Sequence, residues 1–439
     1  MWQQKDYASR DELQALQLSR LIETVEYAYK KVPFYRKKLE AAGVRPGDIK
    51  DLEDIQLLPF TTKEDMRNNY PYGLFAVPMK NVVRIHASSG TTGRPVVMGY
   101  TQKDLENWKE QVARICYMAG VRDEDIVQIS FGYGLFTGGF GLHYGVENLG
   151  ATVVPFSSGN TERQLMLMQD FKTNVLVSTP SFALYMAEAA EDMGFSPRDF
   201  GLRLGLFGGE PCPDNLRLAI ESRWGLKATI NYGLTEIVGP GVSGECEALE
   251  GMHICEDHFY PEIIDPFTLH PLPPGHEGEM VFTTLSKEGV PVIRYRTRDI
   301  TSIIPQPCPC GRTTQRMSYI TGRTDDMLIV KGVNVFPSQV EDVLAQVEEV
   351  SPHYILLVHR EKDYIKDVEV HVELTEEGFT DRFSDLEKIE AKISGRLKAV
   401  LSVTLKVRLM EPKSLERTTG KAQRIVEIVK NNSAPTPRR

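Results

Sequence analysis

A chain of 439 residues with a formal charge of −9 has room for two or three domains, and its sign disfavours nucleic acid, whose phosphates select basic surfaces. Apolar residues at 41% and charged residues at 25% describe an ordinary globular protein. The start MWQQKDYASRDELQ carries no secretory signal and no apolar run reaches the ~18 residues of a membrane span, so a cytoplasmic protein without membrane contact is expected; six cysteines in such a chain are thiols or metal ligands.

Residues 11–45 read as helical, because Leu13, Leu16, Leu18, Leu21, Ile22, Val25 and Tyr29 recur at helical spacing. From about 80 to 240, short β-rich runs at 82–85, 126–129, 151–154, 175–177 and 204–207 alternate with amphipathic segments, which predicts α/β architecture with largely parallel pairing. Residues 260–305 become rich in Pro, Gly and short strands such as 278–282, the pattern of a small antiparallel subdomain. After Gly322 the chain restarts as an α+β unit, with strands expected at 327–330, 354–358, 368–372 and 403–407. Helices are expected from Pro337 and near Ser384, where Ser384-Asp385-Leu386-Glu387 matches a capping box. The expected fold class is therefore α/β and α+β: a large N-terminal domain with mixed sheets over 1–322, a small C-terminal domain over 323–430, and a disordered tail over 431–439.

Ser88-Ser89-Gly90-Thr91-Thr92-Gly93-Arg94-Pro95 follows the first of these strands. Its glycines let backbone approach a ligand, and its hydroxyls and N–H groups can wrap phosphate oxygens. It fits neither G-x-x-x-x-G-K-[ST] nor G-x-G-x-x-G, and alone such a run is as readily a turn. In Asn231-Tyr232-Gly233-Leu234-Thr235-Glu236, preceded by Gly208-Gly209-Glu210-Pro211, Tyr232 can lie flat on a purine, Thr235 can donate to phosphate and Glu236 can hold Mg²⁺. Taken singly, Tyr232 reads as a packed aromatic. Asp299, closing Arg294-Tyr295-Arg296-Thr297-Arg298-Asp299, can accept from two ribose hydroxyls. The set is completed by Gly322-Arg323-Thr324-Asp325-Asp326, Lys331-Gly332 and Thr418-Thr419-Gly420-Lys421, although a lone lysine in a charged tail is normally solvated.

In order and spacing these motifs resemble those of the acyl-adenylate-forming superfamily of acyl-CoA synthetases, luciferases and adenylation domains. Over nearly its whole length the chain resembles the phenylacetate–CoA ligases, most specifically at 133–139, 253–262 and 331–337. The resemblance implies that Ser88, Ser89, Gly90, Thr91, Thr92 and Gly93 hold the β- and γ-phosphates of ATP. Glu210, Pro211 and Tyr232 would line the adenine site, Asn231 and Gly233 would also bind the nucleotide, and Thr235 and Glu236 would serve phosphate and Mg²⁺. Asp299 and Arg323 would hold the ribose, Lys331 and Gly332 would also serve the nucleotide, Asp325 would be the hinge of a mobile C-terminal domain, and Lys421 would be the catalytic lysine. Many superfamily members carry Lys where this chain has Val96, which leaves Arg94, Mg²⁺ and backbone to meet the phosphate charge.

Tyr133, Phe136 and Phe140 lie in a glycine-rich stretch that leaves room for a flat ring, and the resemblance turns Gly208, Gly209, Ile237 and Pro240 to the same space. No cation there is an obvious partner for a second carboxylate, so a monoacid is expected. Cys246 with His253, and Cys308 with Cys310, form two local pairs that together could hold a structural Zn²⁺, with Cys255 as an alternative to His253; buried thiols are the competing reading. The expected reaction joins an aryl acid, phenylacetate foremost, to coenzyme A at the expense of ATP, in a homodimer. Indoleacetate as substrate, a carrier-protein thiol as acceptor and a nucleotide-binding sensor remain open. Pyrophosphate exchange without CoA-dependent AMP release would mark the carrier-protein case; ligation unaffected by loss of Lys421 would mark the sensor.

Overall fold

Pro33 breaks the first helix. The helical stretch expected over 11–45 forms two helices and ends at Ala41: α1 (Arg10–Lys31) and α2 (Pro33–Ala41), with Val32 extended between them at φ −113° and ψ 106°. Proline has no N–H to donate and disfavours helical backbone in the residue before it. The computed structural model describes residues 2–88, 94–326, 328–330, 333–361, 364–417 and 424–429. It divides into two compact units, 1–212 with 217–320, and 213–216 with 321–439.

In the first unit, α3 (Lys63–Asn68) precedes an antiparallel ribbon of β1 (Arg84–Ala87) and β2 (Val97–Tyr100). After α4 (Gln102–Ala119) strands and helices alternate: β3 (Ile126–Ile129), α5 (Thr137–Leu149), β4 (Thr152–Val154), α6 (Thr161–Asp170), β5 (Val175–Ser178), α7 (Pro180–Asp192), β6 (Leu204–Gly208), α8 (Asp214–Trp224) and β7 (Lys227–Leu234). These strands pair in parallel, with β3 between β4 and β5 and β6 between β5 and β7. Their apolar runs, such as Val175-Leu176-Val177, are wholly buried, as parallel strands require.

The sheet then turns antiparallel through β8 (Gly239–Glu245) and β9 (Met252–Ile254). A second, antiparallel sheet follows with β10 (Phe259–Ile264), β11 (Gly278–Thr284) and β12 (Tyr295–Thr301), in the stretch whose Pro and Gly content predicts it. Two-residue strands β13 (Ile303–Ile304) and β14 (Arg316–Met317) return to the first sheet, whose order becomes β13-β14-β9-β8-β7-β6-β5-β3-β4.

The second unit runs β15 (Gly322–Arg323), β16 (Leu328–Val330), β17 (Val333–Val335), α9 (Pro337–Leu344), β18 (Val350–Glu361), β19 (Tyr364–Leu374), α10 (Phe383–Leu401), β20 (Lys406–Met410) and β21 (Ile425–Val429). Its hairpin β18–β19 gains β20 and β21 as parallel neighbours. Leu356, Val358, Val370, Ile393 and Leu397 share its core. The expected capping box at Ser384 does not form: α10 begins at Phe383, after Arg382, so Ser384 already lies in the first turn. The last expected strand, 403–407, starts three residues late at Lys406 because Ser402 ends α10 in left-handed backbone at φ 57° and Val403 and Leu405 are already buried. No helix among the described residues is long and apolar enough to cross a membrane.

Candidate active site

Parallel strands deliver their C-terminal ends to one sheet edge, and ligand sites of open α/β sheets form outside that edge. Here the register sets Ser178 beside Phe207 and Gly208 beside Asn231, so the loops after β5 and β6 and the end of β7 are neighbours. The Ser181 N–H donates to Glu210 Oε1 at 2.7 Å, and Asn231 Nδ2 donates to the Phe207 carbonyl at 2.9 Å. Pro211 beside them is exposed and Gly209 turns at φ 83°. Gly208 and Gly233 are fixed by crowding. A Cβ on Gly208 would lie 2.5 Å from the Asn231 carbonyl oxygen, and one on Gly233 would lie 1.9 Å from that of Gly239.

Tyr232, at the end of β7, donates its hydroxyl to Asp299 Oδ2 on β12 at 2.5 Å. The family resemblance implies a nucleotide role for both residues, but no local pattern signals this bond across 67 positions. Thr235 Oγ1 lies 3.4 Å from Thr137 Oγ1 at the start of α5. Glu236 is buried, with Lys63 Nζ of α3 at 3.4 Å from Oε1. Ser88 Oγ accepts from the Val96 N–H at 3.0 Å. Ser89, Gly90, Thr91, Thr92, Gly93, Lys331, Gly332 and Lys421 lie outside the described residues. In the second unit, Arg323 grips Asp325 with two nitrogens at 2.9 and 3.1 Å, a pairing the separate roles expected for them did not include.

Beside this edge is an aromatic cluster. Tyr133 and Phe140 meet edge to face at 5.2 Å, and Tyr133 OH lies 3.1 Å from His143 Nδ1. Phe136 meets Phe131 at 6.4 Å between ring centres. His86 lies 5.8 Å from Phe140 and 5.6 Å from Trp108. Its Nδ1–H donates to the Leu135 carbonyl at 3.0 Å, and its buried Nε2 has no hydrogen-bond partner among the described residues. Burial holds this imidazole at about 4, so it is neutral at physiological pH.

The segment from Ile237 to Pro240 is held by its carbonyls. Lys287 Nζ donates to Ile237 O at 2.7 Å, Tyr100 OH to Val238 O at 3.0 Å, and Trp108 Nε1 to Pro240 O at 2.7 Å. A Cβ on Gly141 would strike Pro240 Cγ at 2.6 Å, so α5 packs directly on this segment. Lys287 also sits 4.1 Å from the Tyr100 ring centre, and burial lowers its ammonium to about 8. Arg84 covers the rings of Phe140 and Tyr144 at 5.3 and 4.6 Å. Two cations that the sequence does not place there therefore join the cluster, each already engaged by rings or a carbonyl. Nothing local in the sequence marks Lys63, His86, Arg84 or Lys287, because each reaches the site only through tertiary contact.

At the far edge of the sheet, Cys246, His253, Cys308 and Cys310 bring their ligand atoms within 4.8 Å of one another. Cys255, the alternative fourth ligand, is not among them. Buried charges stand nearby: Arg114 contacts Asp6 at 3.2 Å and Asp257 at 3.0 Å. Burial pushes the Asp257 carboxyl up, but His258, Arg114 and Lys5 together hold it below its ordinary value.

The sheet edge and its loops are those of an AMP-binding enzyme: that family's profile matches residues 35–286, the profile of its C-terminal domain matches 332–428, and the chain belongs to this family. Within it the chain stands with the phenylacetate–CoA ligases. It is 50% identical to the phenylacetate–coenzyme A ligase of Aromatoleum evansii over 96% of this chain and 95% of that protein. It is 48% identical to that of Escherichia coli K12, covering 96% of each. A crystal structure of 2-hydroxyisobutyryl-CoA ligase in the postadenylation state, with 2-HIB-AMP, superposes with a TM-score of 0.91 at 30% identity, over 97% of this chain and 91% of that one. The chain is an AMP-forming acid–CoA ligase that uses ATP and coenzyme A.

Proposed function

We propose that this chain joins phenylacetate to coenzyme A in two steps. A free carboxylate is a poor acyl donor, because oxide would have to leave. In the first step a carboxylate oxygen attacks the α-phosphorus of ATP, and the bond to pyrophosphate breaks as the new P–O bond forms. In the second the CoA sulfur attacks the acyl carbon, the C–O bond to AMP breaks, and the thiol proton passes to solvent. The observation that carries this reading is the 50% identity, over 96% of the chain, to a phenylacetate–coenzyme A ligase.

Adenine lies on the Tyr232 ring beside Glu210, Pro211, Asn231 and Gly233, and Asp299 accepts from the ribose. The Tyr232–Asp299 hydrogen bond makes the base and sugar subsites one rigid unit. Residues 88–93 wrap the β- and γ-phosphates, Thr235 donates to phosphate, Arg323 joins Asp299 at the ribose, and Lys331 and Gly332 also serve the nucleotide. Lys421 stabilises the negative charge that builds at the α-phosphorus. That lysine would obstruct the thiol in the second step, which a swing of the C-terminal domain about Asp325 resolves. The buried Glu236 carboxylate and the neighbouring Thr235 hydroxyl are the hard oxygen donors Mg²⁺ takes. An ion held by Glu236 and Thr235 would supply positive charge against the phosphates. The phenyl ring occupies the glycine-spaced aromatic cluster of Tyr133, Phe136 and Phe140, against Gly208, Gly209, Ile237 and Pro240. The enzyme acts in the cytoplasm as a homodimer.

A panel of acids in a coupled AMP-release assay, with and without CoA, tests the reading. Phenylacetate should have the highest kcat/KM and AMP release should require CoA; a panel of aromatic acids that never yields pyrophosphate overturns it. Lys421→Ala should slow pyrophosphate release ~10²–10³-fold and spare thioester formation from preformed phenylacetyl-adenylate.

A further inference from the structure

We propose that Cys246, His253, Cys308 and Cys310 form a closed structural zinc site that clasps the weakest edge of the large sheet. Cys246 directly follows β8, His253 lies on β9, and Cys308 and Cys310 lie in the loop between β13 and β14. The Cys246 and Cys308 sulfurs are 3.6 Å apart, and Cys310 Sγ is 3.3 Å from His253 Nε2. A tetrahedron with Zn–S of about 2.3 Å and Zn–N of about 2.0 Å has S–S edges of about 3.8 Å and S–N edges of about 3.5 Å. These two spacings are close to edges of one coordination sphere, and all four ligand atoms lie within 4.8 Å of one another.

The histidine is oriented for the task. Its Nδ1 lies 2.9 Å from Thr314 Oγ1 and 3.3 Å from the Thr314 carbonyl oxygen. A carbonyl only accepts, so Nδ1 carries the proton and Nε2 turns its lone pair toward the sulfurs, the second-sphere support usual for a metal-bound imidazole. Binding releases three thiol protons to solvent and leaves one net negative charge. Arg312, two residues after Cys310 and nearly buried, is a cation close to the site, shared with Asp6 at 3.3 Å. With four protein ligands no position is left for water, so the site holds structure and performs no chemistry.

The edge has need of such a clasp. β13 and β14 have two residues each and β9 has three, too few to hold a ladder unaided. The same loop anchors the N-terminal segment, since the Thr313 N–H donates to the Asp6 carbonyl at 2.8 Å. The test is metal analysis of the full-length protein purified without chelator from zinc-supplemented medium. About one zinc per chain is expected, falling to near none in Cys308→Ser and His253→Ala and unchanged in Cys255→Ser. Should those variants be insoluble, wild-type protein reloaded with Co²⁺ carries the test through the strong thiolate charge-transfer bands of a tetrahedral site. Zinc removal should also speed proteolytic cutting within residues 5–10. Wild-type protein with only traces of zinc, an octahedral Co²⁺ spectrum, full zinc in Cys308→Ser, or a Cys246–Cys308 disulfide in the purified protein each overturns the proposal.

Discussion

At the middle of the large sheet, β5 and β6 bury Val175, Leu176, Val177, Leu204, Leu206 and Phe207 almost completely, and parallel neighbours on both sides satisfy their backbones. At the other end, β13 and β14 are two residues long, and around them gather Arg114, Asp6, Asp257 and the cysteine–histidine cluster. The middle is held by apolar burial, which needs nothing from its own loops. Those loops are released to carry glycines, hydroxyls and carboxylates at the C-terminal edge. The far end is held by polar side chains, an ion cluster and the cysteine–histidine set, in place of apolar burial.

Breaking each end should therefore give a different signature. Arg114 is almost wholly buried and is shared by Asp6 and Asp257, so Arg114→Met takes a buried partner from both and leaves Asp6 to Arg312 and Asp257 to Lys5 and His258. Removing one partner of a buried ion cluster costs ~3–5 kcal/mol, and urea unfolding should show a loss of that size. A loss under ~1 kcal/mol would mean that short strands and packing hold this edge without the charges. Leu206→Ala attacks the middle instead. Its cost should be about 3 kcal/mol, within the usual range for a buried leucine, with zinc content and KM for ATP left as in wild type. Should Leu206→Ala lose zinc, the two ends are one cooperative unit and the contrast fails.

The same contrast explains what was legible in the sequence. β3 was expected at 126–129 and runs Ile126–Ile129, because a short apolar run between turn signals is a local pattern. The break at Pro33 is local too, since proline is the strongest stop signal in the helical stretch 11–45. At Ser384 the capping motif was present, but Phe383 entered the helix first, so the pattern sat one step inside the element. The cysteine pairs were readable two by two, since seven positions separate Cys246 from His253 and two separate Cys308 from Cys310. That the pairs meet is a property of β8, β9 and β14 lying side by side, which no local pattern encodes. Lys63 beside Glu236 and Lys287 on the Ile237 carbonyl are hidden for the same reason.

The smallest expected effect is also the most discriminating, because it removes one atom from the middle of the sheet edge. Tyr232→Phe keeps the ring and deletes the hydroxyl that donates to Asp299 at 2.5 Å. A hydrogen bond to a charged group contributes about 1.5–3 kcal/mol, and 1.4 kcal/mol is about tenfold in affinity. If base and sugar subsites are held as one unit, KM for ATP should rise about tenfold, while KM for phenylacetate stays within about twofold, since no acid-binding group moves. Stability should fall by about 1–3 kcal/mol, because Asp299 is buried and loses one donor. An unchanged KM for ATP would place the ribose elsewhere than on Asp299. A parallel rise in both KM values would instead mean that the bond supports the whole edge, and the loops would then be less independent of the strands beneath them than the buried apolar middle implies.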